Sequence, residues 1–169
     1  ALSEIKPQLV CDKEDVAYFF FRNGVVPVTK EGICDPIPYD EFGHLVWEHQ
    51  IIDRDFKVND TYVAPVFSYF ITILTNNDAL RYNYLCSIIG YALHNYRTSE
   101  NTKAIIINDE CISEQPEGGS GKGILAKSLG YLRNQVIKDG KTFNPKKSFE
   151  YSDVDENTDL EWLDETSKC

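Results

Sequence analysis

The sequence predicts a mixed α/β protein, with an N-terminal β-hairpin and helical region over residues 1–100 and a second region, 101–169, organised on a parallel sheet. Three observations carry that reading. Asn23-Gly24 stands between two runs of β-formers, the strongest short-range hairpin signal. Apolar residues recur at helical spacing through "NNDALRYNYLCSIIGYALHNYR" (76–97). The continuous apolar run "KAIIIND" (103–109) precedes a glycine-rich loop and a second helical pattern, the strand–loop–helix order from which parallel sheets are built.

Taken in order, "VAYFFFRNGVVPVTKEG" (16–32) gives two strands around the Asn23-Gly24 turn. "CDPIPYDEF" (34–42) is proline-rich and reads as irregular, and "HLVWEHQIIDRDF" (44–56) fits a short helix or a strand. "TYVAPVFSYFITIL" (61–74) predicts a helix after Pro65. In the helix that follows, Asn77 or Asp78 can cap, since a side-chain oxygen there satisfies an otherwise free N–H; Leu85, Ile88, Ile89, Ala92, Leu93 and Tyr96 form its apolar stripe. Residues 103–109 suit a buried parallel strand. "GKGILAKSLGYLRNQ" (121–135) places Ile124, Leu125, Leu129 and Leu132 at helical spacing, and "VIKDG" (136–140) suits another strand. "TDLEWLDET" (158–166) fits a strand or an acidic amphipathic helix.

A chain of 169 residues, 42% hydrophobic and 12% aromatic, can bury a sizeable core in one domain or one domain plus a small appendage. No run approaches the roughly 18 apolar residues of a membrane span, so no membrane partner is expected. The N-terminus lacks the basic start and apolar stretch of a signal peptide. Five cysteines without a CxxC pair read as reduced thiols in a cytoplasmic protein. Methionine is absent even at position 1, and the chain stops soon after an acidic motif; both read as an excised or processed piece.

The net charge of −10 argues against a dedicated nucleic-acid-binding module, whose footprint is usually basic. Its distribution is segregated. Residues 121–147 carry Lys122, Lys127, Arg133, Lys138, Lys141, Lys146 and Lys147 against Asp139 alone, and residues 148–169 carry eight acids against Lys168. Two readings fit: solvated faces that attract each other, or a basic surface for phosphates beside an acidic region for a metal.

"EGGSGKG" (117–123) carries the chemistry. Glycines let the backbone take φ > 0 and turn its N–H groups inward around an anion, and the following helix start adds partial positive charge. Gly118, Gly119, Ser120, Gly121 and Lys122 thus form a phosphate cradle, with Lys122 reaching the β- and γ-phosphates. With the flanking strand and helix this predicts the start of a P-loop NTPase core. The pattern departs from G-x-x-x-x-G-K-[S/T]: Pro116 holds the first glycine position, and Gly123 stands where a hydroxyl normally contacts magnesium. Water can replace that ligand, because magnesium keeps several waters readily. A P-loop enzyme also needs an acid at the end of a neighbouring strand. "LEWLDE" (160–165) offers Asp164 for the Mg2+ water shell and Glu165 to polarise the attacking water.

With both motifs placed, "YFFFRNGVVPVTKEG", "EHQIIDRDF", "LCSIIGYALHNYR", "KAIIINDE", "GGSGKG", "IKDGKTF" and "KSFEY", in that order, resemble the primase-helicases of phages and mobile elements. These are relatives of the superfamily 3 helicases and the poxvirus-type primases. The resemblance spans roughly residues 16–165 and is most specific from "AIIINDE" to "KSFEY". It implies an ATP- and Mg2+-dependent DNA-unwinding motor, acting on single-stranded or forked DNA as a homo-oligomeric ring in the cytoplasm of a bacterial host. Lys122 would be the phosphate lysine, Gly118 to Gly121 the cradle, and Asp164 with Glu165 the metal and water acids. The region before the loop would match the collar that leads into the motor. No sensor strand or arginine finger follows residue 165, so the piece is expected to bind nucleotide and hydrolyse little of it. The alternative is a non-catalytic adaptor or assembly domain of a replication protein whose nucleotide site has decayed.

Other clusters carry less. "DRD" (53–55) has the spacing of a metal-binding aspartate pair, but Arg54 between them suggests an ion-paired turn. His44 and His49 lack the spacing of a shared zinc face, and no HExxH occurs. Cys86 and Cys111 read as core residues. Tyr82, Tyr84, Tyr91 and Tyr96 could stack on bases, but core or interface packing is the commoner use at helical spacing.

Overall fold

The computed structural model describes residues 9–58, 65–108 and 119–165. The chain divides into two compact units, Ala1–Val58 with His94–Tyr96, and Asn59–Leu93 with Arg97–Cys169. Architecture is mixed α/β, as the sequence predicts.

In the first unit β1 (Val16–Phe21) and β2 (Gly24–Thr29) pair antiparallel, and the Phe21↔Gly24 register leaves Arg22 and Asn23 as the turn. The turn therefore falls one residue earlier than Asn23-Gly24. Gly24 is needed for a different reason: at φ +148° it lies under the Ile37 backbone, and a Cβ there would sit 2.7 Å from the Ile37 carbonyl oxygen. Asn23 commits its amide elsewhere. Its Nδ2 donates to the Phe56 carbonyl at 2.9 Å, and its Oδ1 accepts from the Phe56 N–H at 2.8 Å.

β3 (Gly32–Ile33) extends the sheet beyond β2, and β4 (Ile51–Ile52) lies parallel to β1, giving the mixed order β3-β2-β1-β4. Phe19, Phe20, Phe21, Val25 and Val26 form the buried centre of this unit. The proline-rich segment holds one turn of helix, α1 (Tyr39–Phe42), closed by Gly43 at φ +71°. Burial pushes the Tyr39 phenol up from its ordinary value, and its hydroxyl donates to the Phe21 carbonyl at 2.7 Å. Residues 44–56 resolve into a 3-10 turn, Glu48–Gln50, followed by β4. The Asp12 carboxylate accepts from the Tyr18 and Asn95 N–H groups, each at 2.8 Å, which accounts for His94–Tyr96 joining this unit.

In the second unit α2 (Val66–Leu74) starts after Pro65, as predicted. α3 (Ala79–Leu93) is capped by Asp78, whose Oδ1 accepts from the Leu80 and Arg81 N–H groups at 2.8 and 3.0 Å. The backbone bond from Arg81 is the main reason that its carboxyl stays below its ordinary pKa. Asn76 and Asn77, at φ +55° and +56°, form the bend before the cap. α3 ends at Leu93, short of the predicted residue 97, and buried Arg133 donates to the Leu93 carbonyl at 2.7 Å. A cation on those last carbonyls satisfies groups that the helix cannot pair itself.

α4 (Lys122–Leu129) stops at Gly130, earlier than the 121–135 pattern suggests. β5 (Gln135–Asp139) and β6 (Leu160–Asp164) pair in parallel from Gln135↔Leu160 to Asp139↔Asp164. The described part of the ambiguous segment at 158–166 therefore holds a strand, and a parallel sheet exists, with these two strands among the described residues. The strand expected at 103–109 is not seen: its described part, 103–108, joins no ladder. Among the described residues of this unit, Ile71, Ala92, Leu125, Ala126 and Leu129 are the buried apolar ones. No described helix is long and apolar enough to cross a membrane.

Candidate functional site

The glycine loop is described from Gly119 onward; Gly118 lies outside the described residues. Gly119 and Gly121 take φ +79° and +87°, the left-handed region that side chains avoid. Gly121 is the residue before α4, and its carbonyl accepts the first helical bond from the Leu125 N–H at 3.0 Å. Below it lies α2: a Cβ on Gly121 would stand 3.2 Å from both the Phe70 ring and Leu74 Cδ1. α2 thus supports the bend that brings the chain into α4. Among the described residues no side chain caps that helix start, where the helix dipole concentrates partial positive charge. Lys122 Nζ donates to Ser120 Oγ at 2.8 Å, both exposed. Gly123, in the first turn, has none of the described residues within 4 Å of where a Cβ would stand.

The acids sit on the parallel pair. Asp164 ends β6 and Asp139 ends β5 directly beside it in register. The Gly140 N–H donates to the Asp164 carbonyl at 2.6 Å, and the Lys141 N–H donates to Asp139 Oδ1 at 2.8 Å. Glu165 leaves the strand at φ +53° and is ion-paired with Lys141. The hydrogen bond to Glu165 is the leading cause of the raised Lys141 pKa. Sequence reasoning singled out Asp164 and Glu165 but passed over Asp139 and Lys141. The signal for Asp139 was present, since it is the acid that ends the predicted strand 136–140. Parallel sheets place ligands at the carboxyl ends of their strands, which is where these groups lie.

Loop and acids belong to the same packed unit. Leu125 and Leu129 of α4, together with Leu160, Trp162 and Leu163 of β6, line one groove of about 640 Å3. Among the described residues no group of three or more His, Cys, Asp and Glu is placed to hold a metal.

The segregated charges meet each other. Lys138 Nζ lies 2.7 Å from Asp153 and 3.4 Å from Glu161, bonds the Glu150 carbonyl, and sits against the Phe143 and Tyr151 rings. With Lys141 on Glu165, two members of the basic run are matched to the acidic run, as expected of faces that attract.

Asp53 and Asp55 each stand 3.5 Å from Arg22, and Arg54 lies over the Phe21 ring, so "DRD" is an ion-paired turn held by Arg22. His44 and His49 contact the Phe42 and Trp47 rings. Cys86, expected in the core, is exposed, because α3 packs through other positions, Ala92 among them; Cys111 lies outside the described residues. The tyrosines serve separate ends: Tyr82 bonds Ser68, Tyr91 bonds Asn101 and Lys103, Tyr96 neighbours His94, and Tyr84 is exposed. No protein-family model, curated protein or solved structure matches the chain.

Proposed function

We propose that the second unit is the nucleotide-binding part of a P-loop motor of the primase-helicase type, taking Mg-ATP at the start of α4. The observation that carries this reading is the order of parts. A loop with two positive-φ glycines enters a helix whose first residue is Lys122, and two parallel strands follow, both ending in aspartate. Ser120 and Lys122 would meet the phosphates together with the positive end of the helix dipole. Asp164 and Asp139 fit a magnesium ion held by one or two carboxylates, with waters and phosphate oxygens completing its shell. Bound Mg-ATP supplies the phosphoryl group and the charge neutralisation. Glu165 would orient water only after leaving Lys141. DNA unwinding, ring assembly and a cytoplasmic setting belong to the whole motor and remain expectations of the same reading.

A second reading, an adaptor or assembly domain with a decayed site, draws on Gly123, which offers no hydroxyl to the metal, and on Glu165, which Lys141 already engages. Thermal unfolding with and without Mg-ATP separates the two. Nucleotide at about 100 times its dissociation constant stabilises by roughly 2.7 kcal/mol. The motor reading expects a rise in Tm that disappears in Lys122→Ala. No shift of the wild-type protein at millimolar Mg-ATP overturns it and leaves the adaptor.

A further inference from the structure

We infer that Asn23 is a deamidation site, shielded while its carboxamide is clasped to Phe56, and that its conversion to an acid opens the clasp. This does not depend on nucleotide binding. Asn23 is the one asparagine in the sequence followed by glycine. Glycine has no side chain to hold its nitrogen off the neighbouring carboxamide, so in an unfolded chain this pair is disposed to cyclise. The Gly24 nitrogen bonds to Asn23 Cγ, the Cγ–Nδ2 bond breaks, and ammonia leaves with the amide proton of Gly24. Water then adds to either carbonyl of the five-membered imide and opens one of its two C–N bonds, giving aspartate or isoaspartate.

The fold opposes the first step. β1 and β4 pair in parallel through Phe21↔Ile52, and the Arg22 N–H continues the pairing to the Arg54 carbonyl at 3.1 Å. One residue on, the Asn23 carboxamide takes the place of a peptide group, with Nδ2 donating to the Phe56 carbonyl at 2.9 Å and Oδ1 accepting from the Phe56 N–H at 2.8 Å. The leaving nitrogen is therefore a donor in use, and folding Cγ back onto Gly24 gives up both bonds. Gly24 is itself held in the Phe21↔Gly24 pair beneath the Ile37 backbone. The Phe56 ring packs on Phe21, centroids 5.2 Å apart, two residues before this stretch of the first unit ends at Val58.

Refolding does not undo the conversion. In aspartate one oxygen still accepts from the Phe56 N–H, but the other turns a negative acceptor on the Phe56 carbonyl, where Nδ2 donated. The charged groups of the turn and of the segment bearing Phe56 are otherwise engaged or exposed: Arg22 pairs with Asp53 and Asp55, Arg54 lies over the Phe21 ring, and Lys57 is exposed. Tyr39, packed on the other side, gives its hydroxyl to the Phe21 carbonyl. Isoaspartate also lengthens the main chain of a two-residue turn by one carbon, against the Phe21↔Gly24 register.

The test follows Asn23 in the full wild-type chain at mildly alkaline pH, folded and in concentrated urea, by mass spectrometry of the peptide that carries it. The amide should last about tenfold longer or more in the fold, since reaction there waits on local opening. Equal rates would mean that the clasp shields nothing and would overturn the proposal. Asn23→Asp installs the product. Its Tm should lie below that of wild type at about pH 7 and approach it near pH 3, because a protonated carboxyl donates to the Phe56 carbonyl as Nδ2 does. The fold favours the neutral acid, so this contribution is full below the unfolded value of about 3.9 and is lost as pH rises through the folded one. Hydrogen exchange of the Phe56 N–H should be faster in the variant at about pH 7. An equal Tm at that pH, or a deficit unchanged on acidification, would also overturn the proposal. The rate comparison uses no variant, so it decides even if Asn23→Asp does not fold.

Discussion

Gly121 and Gly123 stand two positions apart in the loop and meet opposite constraints. Gly121 has φ +87° with Phe70 and Leu74 against its α-carbon, so Gly121→Ala is strained twice; a loss of about 1–3 kcal/mol is expected, read as a lower denaturant midpoint. Gly123 is helical with open space around it among the described residues, so Gly123→Ser should fold at least as well and gain up to about 0.5 kcal/mol from reduced backbone entropy. On the proposed function the new hydroxyl tightens nucleotide binding only when magnesium is present. ATP titrations with Mg2+ and with EDTA measure this, and an equal change in both would place the cation away from residue 123. The two glycines look alike in sequence. What separates them is the position of α2, which no local pattern in residues 117–123 records. That Lys122 opens a helix and Asp164 ends a strand was legible, because the glycines and the apolar residues of 160–163 mark those places locally. The pairing of Glu165 with Lys141 was not, because it joins residues brought together only when β5 and β6 align.

At the scale of elements, β5 is fastened to the crossover that follows it by Lys138, whose side chain is 9% exposed among Asp153, Glu161 and the Glu150 carbonyl. The hydrogen bond to Asp153 leads the causes that raise the Lys138 pKa above 10.5, and the same bond lowers Asp153 below 3.8. A raised lysine contributes fully below its unfolded pKa and loses that contribution as pH climbs through its folded value; a lowered aspartate contributes above its unfolded pKa and loses it as pH falls through its folded value. The stability lead of wild type over Lys138→Met should be flat between about pH 4 and 10 and shrink at both extremes. Tm measured across pH on both proteins checks it, with Asp153→Asn removing the acid limb. Asp78 contributes in the same acid direction through the α3 cap, so Asp78→Ala should lower Tm at neutral pH and lose less on acidification. Helices were the most readable elements: Pro65 and Asp78 start α2 and α3 by local chemistry that the sequence displays. Their ends were less so. α3 stops where Arg133 takes the last carbonyl and where Asn95 goes to Asp12, contacts 40 and 83 residues apart in the chain. The run 103–108 shows the same limit, since β-branched residues announce a strand and only a neighbour makes it one.

For the whole molecule, the division at residue 58 separates a β-sheet unit from a unit holding both the glycine loop and the paired aspartates. Mg-ATP is therefore expected to slow hydrogen exchange in α4 and at the ends of β5 and β6, and to leave β1 and β2 unchanged; equal protection of both units would mean that binding is not confined to the second. Mixed α/β architecture was legible from periodicity alone, whereas the return of His94–Tyr96 to the first unit was not, because a helical pattern says nothing about where the chain goes when it ends. The division also sorts the chromophores. The two tryptophans fall one to each unit, Trp47 in the first, 53% exposed, and Trp162 in the second, on β6 and half-buried. Trp47→Phe and Trp162→Phe each leave a single indole emitter, so fluorescence alone can record the melting of either unit, and an offset between the two curves would measure how far they unfold independently.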